Sequence, residues 1–348
     1  MEQNQPSNNS SENQKEKQGE PVVEFNPPDN AQLGDPPEYV INKYFRRKLA
    51  YNKFSAPNFL SIGLTILTLV DLSEFEAILE TGCGTGQLAL EILRRKKKES
   101  LFQAVDLTPS MVQLTAAKIS KFAELAKKPF GLLNYEAELT NIDDSELEKF
   151  PLNEDGTDSF EVADLNAKIS TMNIEDLKGL GDQQFDLYLS VLCVHIAQET
   201  KKALTEAYRV LKPGGKLIFA VWGTKSSKGT SRVTPMILKE FKVKNTKKRS
   251  SYHLSDAEKT GKLVEEAGFS SVLTYETFSP WRKYSFEVYK EYLTSNLAVR
   301  TKVEPELLEK MAQRAAEEFL KENEEKKLFA GRNILVVYAE KNADEGAN

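Results

Sequence analysis

Seven short apolar runs punctuate the chain: EAILE, LFQAVD, SFEVAD, FDLYLS, KLIFAVW, SVLTYETF and NILVVYAE. Each has the length of a strand, and the first five alternate with segments of helical period. That alternation restricts the fold to a largely parallel sheet with helices on both faces. The expected fold class is therefore α/β, with a seven-stranded, mostly parallel, doubly wound sheet. Local signals support the divisions. Thr108-Pro109 reads as an N-cap and first helical residue, and Lys212-Pro213-Gly214-Gly215 as a helix stop and tight turn. Ser255 to Glu258 reads as a capping box for a helix that Gly268 ends.

The remaining stretches set the domain limits. Residues 1–37 are polar, carry a formal net charge of −5 and lack the apolar surface to offset chain entropy, so a disordered tail is expected there. One domain is expected over 38–340, with a flexible end at 341–348. Its insertions, about 224–254 and 280–330, lie where such sheets carry helical lids. Beyond the tail the acids and bases balance, which offers no electrostatic footprint for nucleic acid. The most apolar run, FLSIGLTILTLV, is shorter than the roughly 20 residues of a membrane helix. Two cysteines, Cys83 and Cys193, and no apolar leader read as a cytoplasmic, reduced chain.

The first run leads into ILETGCGTGQLAL, where Gly82, Gly84 and Gly86 fall on a two-residue beat before a helical pattern. This places the loop at the carboxyl end of the first strand, where open α/β sheets bind ligands. A dinucleotide fingerprint requires a third glycine at position 87, which is Gln87. Glu80 would repel a pyrophosphate and favours a cationic ligand. Asp106, at the end of the second strand, is placed to accept hydrogen bonds from ribose hydroxyls. A ribose together with a positive group points to S-adenosylmethionine. The alternative reading is a plain tight turn at the glycines, with Asp106 capping the next helix.

Residues 78–223 resemble the class I S-adenosylmethionine-dependent methyltransferases, through ILETGCGTG, VDLTPSM, FDLYLSVLCVHI and YRVLKPGGKLIFAVWG in that family's order. The resemblance implies a Rossmann-like sheet and a cofactor site. In that site Gly82, Cys83, Gly84 and Gly86 pass close to the ribose and methionyl part, and Glu80 lies near the methionyl ammonium. Asp106 holds the ribose, with Leu107 and Met111 by the adenine. Asp164 and Leu165, after the third strand, address the adenine edge, and Ser190 lends its backbone to the methionyl end. The family commonly has Asp where this chain has Glu80. A polar insertion before SFEVADLN leaves YEAEL (135–139) as a rival third strand.

A sulfonium is already activated, so the protein mainly aligns the acceptor and excludes water. His195, just after the fourth strand, is the candidate general base; it could equally shape the pocket. Tyr44, Tyr51, Trp222 and Trp281 are candidate walls of a substrate pocket. NPPD and DPPE resemble the (Asn/Asp)-Pro-Pro-aromatic turn of amino methyltransferases but lack its aromatic residue, and read as linker. The basic run KVKNTKKR (242–249) reads as a solvated loop or an attractor of anions. No metal site is expected. The sequence thus points to methyl transfer to a small molecule. Its alternatives are a non-catalytic interaction protein of the same fold, or a protein or nucleic-acid methyltransferase.

Overall fold

The computed structural model describes residues 35–45, 51–127, 139, 142–225, 230–245, 249–281, 285–298, 300–325 and 331–343. The tail up to residue 34, most of the rival strand at 135–139 and the centre of the basic run lie outside these described residues. The strands are β1 (Ala77–Thr81), β2 (Leu101–Asp106), β3 (Ser159–Val162), β4 (Ala167–Thr171), β5 (Phe185–Val191), β6 (Leu211–Trp222), β7 (Ser270–Pro280) and β8 (Gly331–Glu340). They form one eight-stranded sheet in the order β3-β4-β2-β1-β5-β6-β8-β7. β4, β2, β1, β5 and β6 are mutually parallel, whereas β8 runs antiparallel to both β6 and β7.

The helices are α1 (Pro37–Phe45), α2 (Ala56–Leu67), α3 (Gln87–Arg95), α4 (Pro109–Ala126), α5 (Asp144–Glu148), α6 (Thr200–Val210), α7 (Thr230–Glu240), α8 (Ala257–Glu266), α9 (Phe286–Ala298) and α10 (Pro305–Glu325). Side chains alternate across a strand, so each strand feeds two cores. Ile78, Phe102, Leu187 and Ile218 pack under α2, α3 and α4 through Ile66, Ile92 and Ile119. Leu79, Val105, Tyr188 and Phe219 face the other way, against Leu204 and Ala207 of α6 and Val264 of α8. Burial on both faces explains why β1 is buried at every position.

One assignment from the sequence is corrected here. SFEV forms an antiparallel edge, β3, and the parallel strand beside β2 is Ala167–Thr171, which adds the eighth strand. A tight turn joins the two, with Asn166 in the left-handed region at φ 48°. The Lys212–Gly215 turn also lies inside β6, where the pairing with β5 jumps from Phe185↔Leu211 to Leu187↔Lys216. It is a bulge in a continuous strand.

The two insertions meet. Val233 and Ile237 of α7, Tyr289, Leu293 and Leu297 of α9, and Met311, Ala315 and Phe319 of α10 bury one another in a third core. This helical cap is separate from the two sheet cores. Among the described residues no helix is long and apolar enough to cross a membrane.

Candidate active site

The carboxyl ends of the parallel strands open on one cavity of about 180 Å³. Four connections supply its floor: Gly82 and Gly84 after β1, Asp106 to Thr108 after β2, Asn173 and Ile174 after β4, and Val191 to Cys193 after β5. Sheet geometry alone brings these loops together, because parallel strands present all their carboxyl ends to one edge.

The glycine loop has a conformation that few side chains tolerate. Gly82, Gly84 and Gly86 have φ of 66°, 55° and 76°, all left-handed. A Cβ at Gly82 would overlap the Cys193 side chain, and one at Gly84 would touch the Tyr51 ring and hydroxyl at 3.5 Å. Gly86 does not line the cavity; it is the N-cap of α3 and backs onto Thr115. Cys83 is buried against Thr115, behind the wall.

Two buried acids flank this loop. Asp106 Oδ2 accepts the Gly84 N–H and Oδ1 the Thr108 N–H, both at 2.9 Å. Burial raises its pKa, and these two hydrogen bonds offset part of the rise. The ligand and cap readings of Asp106 are therefore compatible: it tethers the loop, tightens the entry to α4 and still lines the cavity. Glu80, 3% exposed, has one carboxylate oxygen, Oε2, without a hydrogen-bond partner among the described residues. Burial, and then the nearby Asp106, push its pKa well above the usual carboxylate range. Glu80 is not among the residues that line the cavity; it is a buried acid with an unpartnered oxygen on the strand that carries Gly82 into it, a chemistry that fits a ligand with a cationic group.

Leu192 closes β5 with φ 54°, a conformation costing roughly 1–2 kcal/mol for a residue with a β-carbon. Its N–H is held by the Ala220 carbonyl at 2.8 Å, and the strained residue lies in the cavity wall. Such strain marks functional positions. His195 follows in a short turn, 7% exposed, its ring 6.4 Å from that of Trp222. Both line the cavity. Phe59 of α2 meets Trp222 edge-on at 5.6 Å and Tyr51 at 5.9 Å, and Tyr51 meets Tyr44 at 5.8 Å. An aromatic wall thus runs from above Gly84 to the end of β6.

Several expected residues lie elsewhere. Asp164 and Leu165 fall in the turn before β4, at its amino end, so they cannot reach a cavity at the carboxyl ends. Asp164 is an exposed partner of Lys127 at 2.6 Å. Asn173 and Ile174, after β4, occupy the place assigned to them. Ser190 is fully buried and its hydroxyl donates to the Thr81 carbonyl at 3.2 Å; Val191 to Cys193 reach the cavity instead. Trp281 lies just outside the wall and packs edge-on against Tyr292 at 6.2 Å. The sequence reading missed Asn296, Arg300 and Arg332, which also line the cavity. Their signal was faint, since they come from the cap and from an antiparallel strand, far along the chain from any motif.

Residues 132–219 match the family model described as a methyltransferase domain. The matched segment runs from before β3 to within β6 and leaves out the glycine loop. No curated protein matches the chain. Among solved structures it is similar to a Bacillus halodurans C-125 protein assigned as a methyltransferase, at 15% identity over 81% of this chain and 99% of that one, TM-score 0.45. A second is Haemonchus contortus phosphoethanolamine N-methyltransferase 2 in complex with S-adenosyl-L-methionine, at 16% identity over 81% and 52% of the two chains, TM-score 0.42. A third is the arsenic(III) S-adenosylmethionine methyltransferase of Chlamydomonas reinhardtii, at 16% identity over 79% and 66%, TM-score 0.41.

Proposed function

We propose that this chain, which carries a methyltransferase domain, transfers a methyl group from S-adenosylmethionine to a small molecule. The observation that carries the reading is the pairing of a left-handed glycine cradle with the buried acids Glu80 and Asp106. Gly82 and Gly84 let the backbone approach the ligand, Glu80 meets its ammonium and Asp106 accepts its ribose hydroxyls. Leu107, Met111, Asn173 and Ile174 make the adenine side of the wall. The bound cofactor supplies an electrophilic methyl group on a sulfonium.

The remaining work falls to the acceptor side. The aromatic wall and the cap hold the acceptor beside the end of β5 and keep water out, and alignment of this kind can supply much of the rate. His195, buried in that wall, takes the acceptor's proton where the acceptor is a hydroxyl or thiol. A cavity overhung by Tyr292, Leu293 and Asn296 of the cap favours a small molecule over a polymer. Thermal melting tests the cofactor: S-adenosylhomocysteine should raise the melting temperature and NAD should not. A rise with NAD and none with S-adenosylhomocysteine would overturn the assignment. Labelled cofactor incubated with fractionated cell extract then shows whether the label enters small metabolites or macromolecules.

A further inference from the structure

The cavity wall between β5 and α6 is a loop held in place by side chains from elsewhere. The chain leaves β5 at Val191, makes one short turn over Val194–Ile196 and enters α6 at Thr200. Leu192, Cys193 and residues 195–198 line the cavity. Away from the strand ladders, the polar backbone groups of such a loop need other partners. Glu175, after β4, takes the N–H groups. One of its carboxylate oxygens accepts from Gln198 at 2.9 Å and the other from Glu199 at 2.7 Å, at the head of α6, where an anion is favoured. Arg249 takes the carbonyls: its guanidinium donates to the carbonyl of His195 at 3.4 Å, to that of Gln198 at 3.2 Å and also to that of Ala197. The charges of Asp35 and Glu175 both favour the guanidinium there. The segment that carries Arg249 is itself fastened. His253 Nε2 stands 3.4 Å from Thr200 Oγ1, and buried Leu254 joins the sheet core that faces α6.

Resting on the reading of His195 as the proton acceptor in methyl transfer, we infer that Arg249 is a positioning residue, whose guanidinium fixes the turn that carries His195 and so aims the imidazole at the acceptor beside Trp222. A general base works only when its nitrogen lies within hydrogen-bond reach of the proton, and a loop delivers that aim only when a supporting shell locks it. The bonds to Glu175 lie beyond His195, at the head of α6. On the other side the nearest fixed point is the Leu192 N–H, held by the Ala220 carbonyl at 2.8 Å. Between these two anchors Arg249 grips the turn at His195 itself and at Ala197. Carbonyls that point to one side repel one another, and a cation set among them removes that repulsion. Arginine suits the place because its planar fork spans several acceptors at once, which a compact ammonium does not. Without it the carbonyls turn toward water and the imidazole loses its single direction.

The test is nuclear magnetic resonance on the full chain, with ring-labelled histidine and tryptophan in a deuterated background. The chain has two histidines and two tryptophans, so the ring signals are few, and His253→Asn assigns them. The wild type should give one set of His195 ring signals with a cross-peak to the Trp222 indole, whose ring centre is 6.4 Å away. Arg249→Met should split or broaden the His195 signals and lose that cross-peak. A merely structural strut would lower the melting temperature and leave both unchanged. Should Arg249→Met fail to fold, Arg249→Lys decides, since it keeps the charge without the planar fork and should lose part of the cross-peak. Turnover gives the second readout, in the assay with labelled cofactor and fractionated extract. Arg249→Met should slow label transfer about 10²-fold, as a misplacement near 1 Å does, and should add little to the loss already caused by His195→Ala. The inference is overturned if the variant keeps the wild-type His195 signals, if the wild type already shows several sets, or if the two losses multiply. Absence of label transfer, with no S-adenosylhomocysteine shift in melting, counts against the methyltransferase reading, because the ring signals are measured without cofactor or acceptor.

Discussion

Asp106 does two jobs with one carboxylate, and substitution separates them. Asp106→Ala leaves the Gly84 and Thr108 N–H groups without an acceptor, at roughly 1–3 kcal/mol for each buried group, so stability and S-adenosylhomocysteine affinity should fall together. Asp106→Asn keeps an acceptor and should recover part of the melting temperature with little of the affinity. Wild-type affinity in the alanine variant would leave Asp106 a structural tether only. Glu80 gives a second test. Burial raises its pKa, and a cationic group arriving beside it would lower it again. S-adenosylhomocysteine affinity should therefore fall as pH drops through the raised pKa of the free protein, and Glu80→Gln should remove that dependence. His195→Ala should lower turnover about 10²-fold if the imidazole takes a proton, with the loss shrinking as pH rises. A changed Michaelis constant without a pH signature would make it a shaping residue. At this scale the sequence was most legible where backbone chemistry is unforgiving: the three glycines at spacing two are left-handed in the structure. It was least legible at Arg300 and Arg332, which line the cavity from beyond α9 and from an antiparallel strand, where no local pattern announces them.

Among the elements, the single wide turn Tyr51–Ser55 shows how the glycine loop is braced. Lys118 of α4 is fully buried and donates to Asn52 Oδ1 in that turn at 2.5 Å and to the Thr85 carbonyl in the loop at 2.7 Å. Desolvation pushes its pKa down to about 7. Between about pH 7 and the ordinary lysine range, the unfolded chain binds a proton here that the folded chain lacks. Stability therefore rises with pH across that window, and below about 7 the buried cation costs its full amount. Against Lys118→Met, the wild type should gain roughly 2–3 kcal/mol between pH 7 and 9, read from urea unfolding. A constant difference between the two would mean that Lys118 keeps its proton throughout. The misread element, β4, has its own physical reason. AKIST places Ser170 inside the sheet, a residue that a periodicity argument counts against a central strand. Its hydroxyl meets that of Ser159 at 2.9 Å and accepts from Gln103 at 3.2 Å, so the polar group is satisfied across strands. SFEV looked the better strand because an exposed edge needs no such partners, and Asp164 was misplaced with it.

At the level of the whole molecule, the alternation of runs and helices was enough to find the parallel sheet, since burial on both faces writes itself into continuous apolar segments. The cap was legible only as two interruptions; that they join follows from Val233 and Ile237 of the first sharing a core with Met311 and Phe319 of the second, and from the Arg314–Glu240 ion pair at 3.2 Å, contacts between segments without a shared motif. A body with its own core can part from the sheet without unmaking the sheet's cores. Hydrogen exchange should show α7, α9 and α10 opening together, at lower free energy than β1 and β5; uniform protection would contradict that. This independence has a kinetic consequence. Gly82, Gly84 and Asp106 belong to the sheet, whereas Tyr292, Leu293 and Asn296 of the cavity wall belong to the cap, so the proposed cofactor site outlasts cap opening and the acceptor side does not. Turnover should then follow an ordered sequence, with the cofactor first on and its product last off. S-adenosylhomocysteine would inhibit competitively against S-adenosylmethionine and noncompetitively against the acceptor, and solvent viscosity would slow the steady state when release of the methylated product limits it.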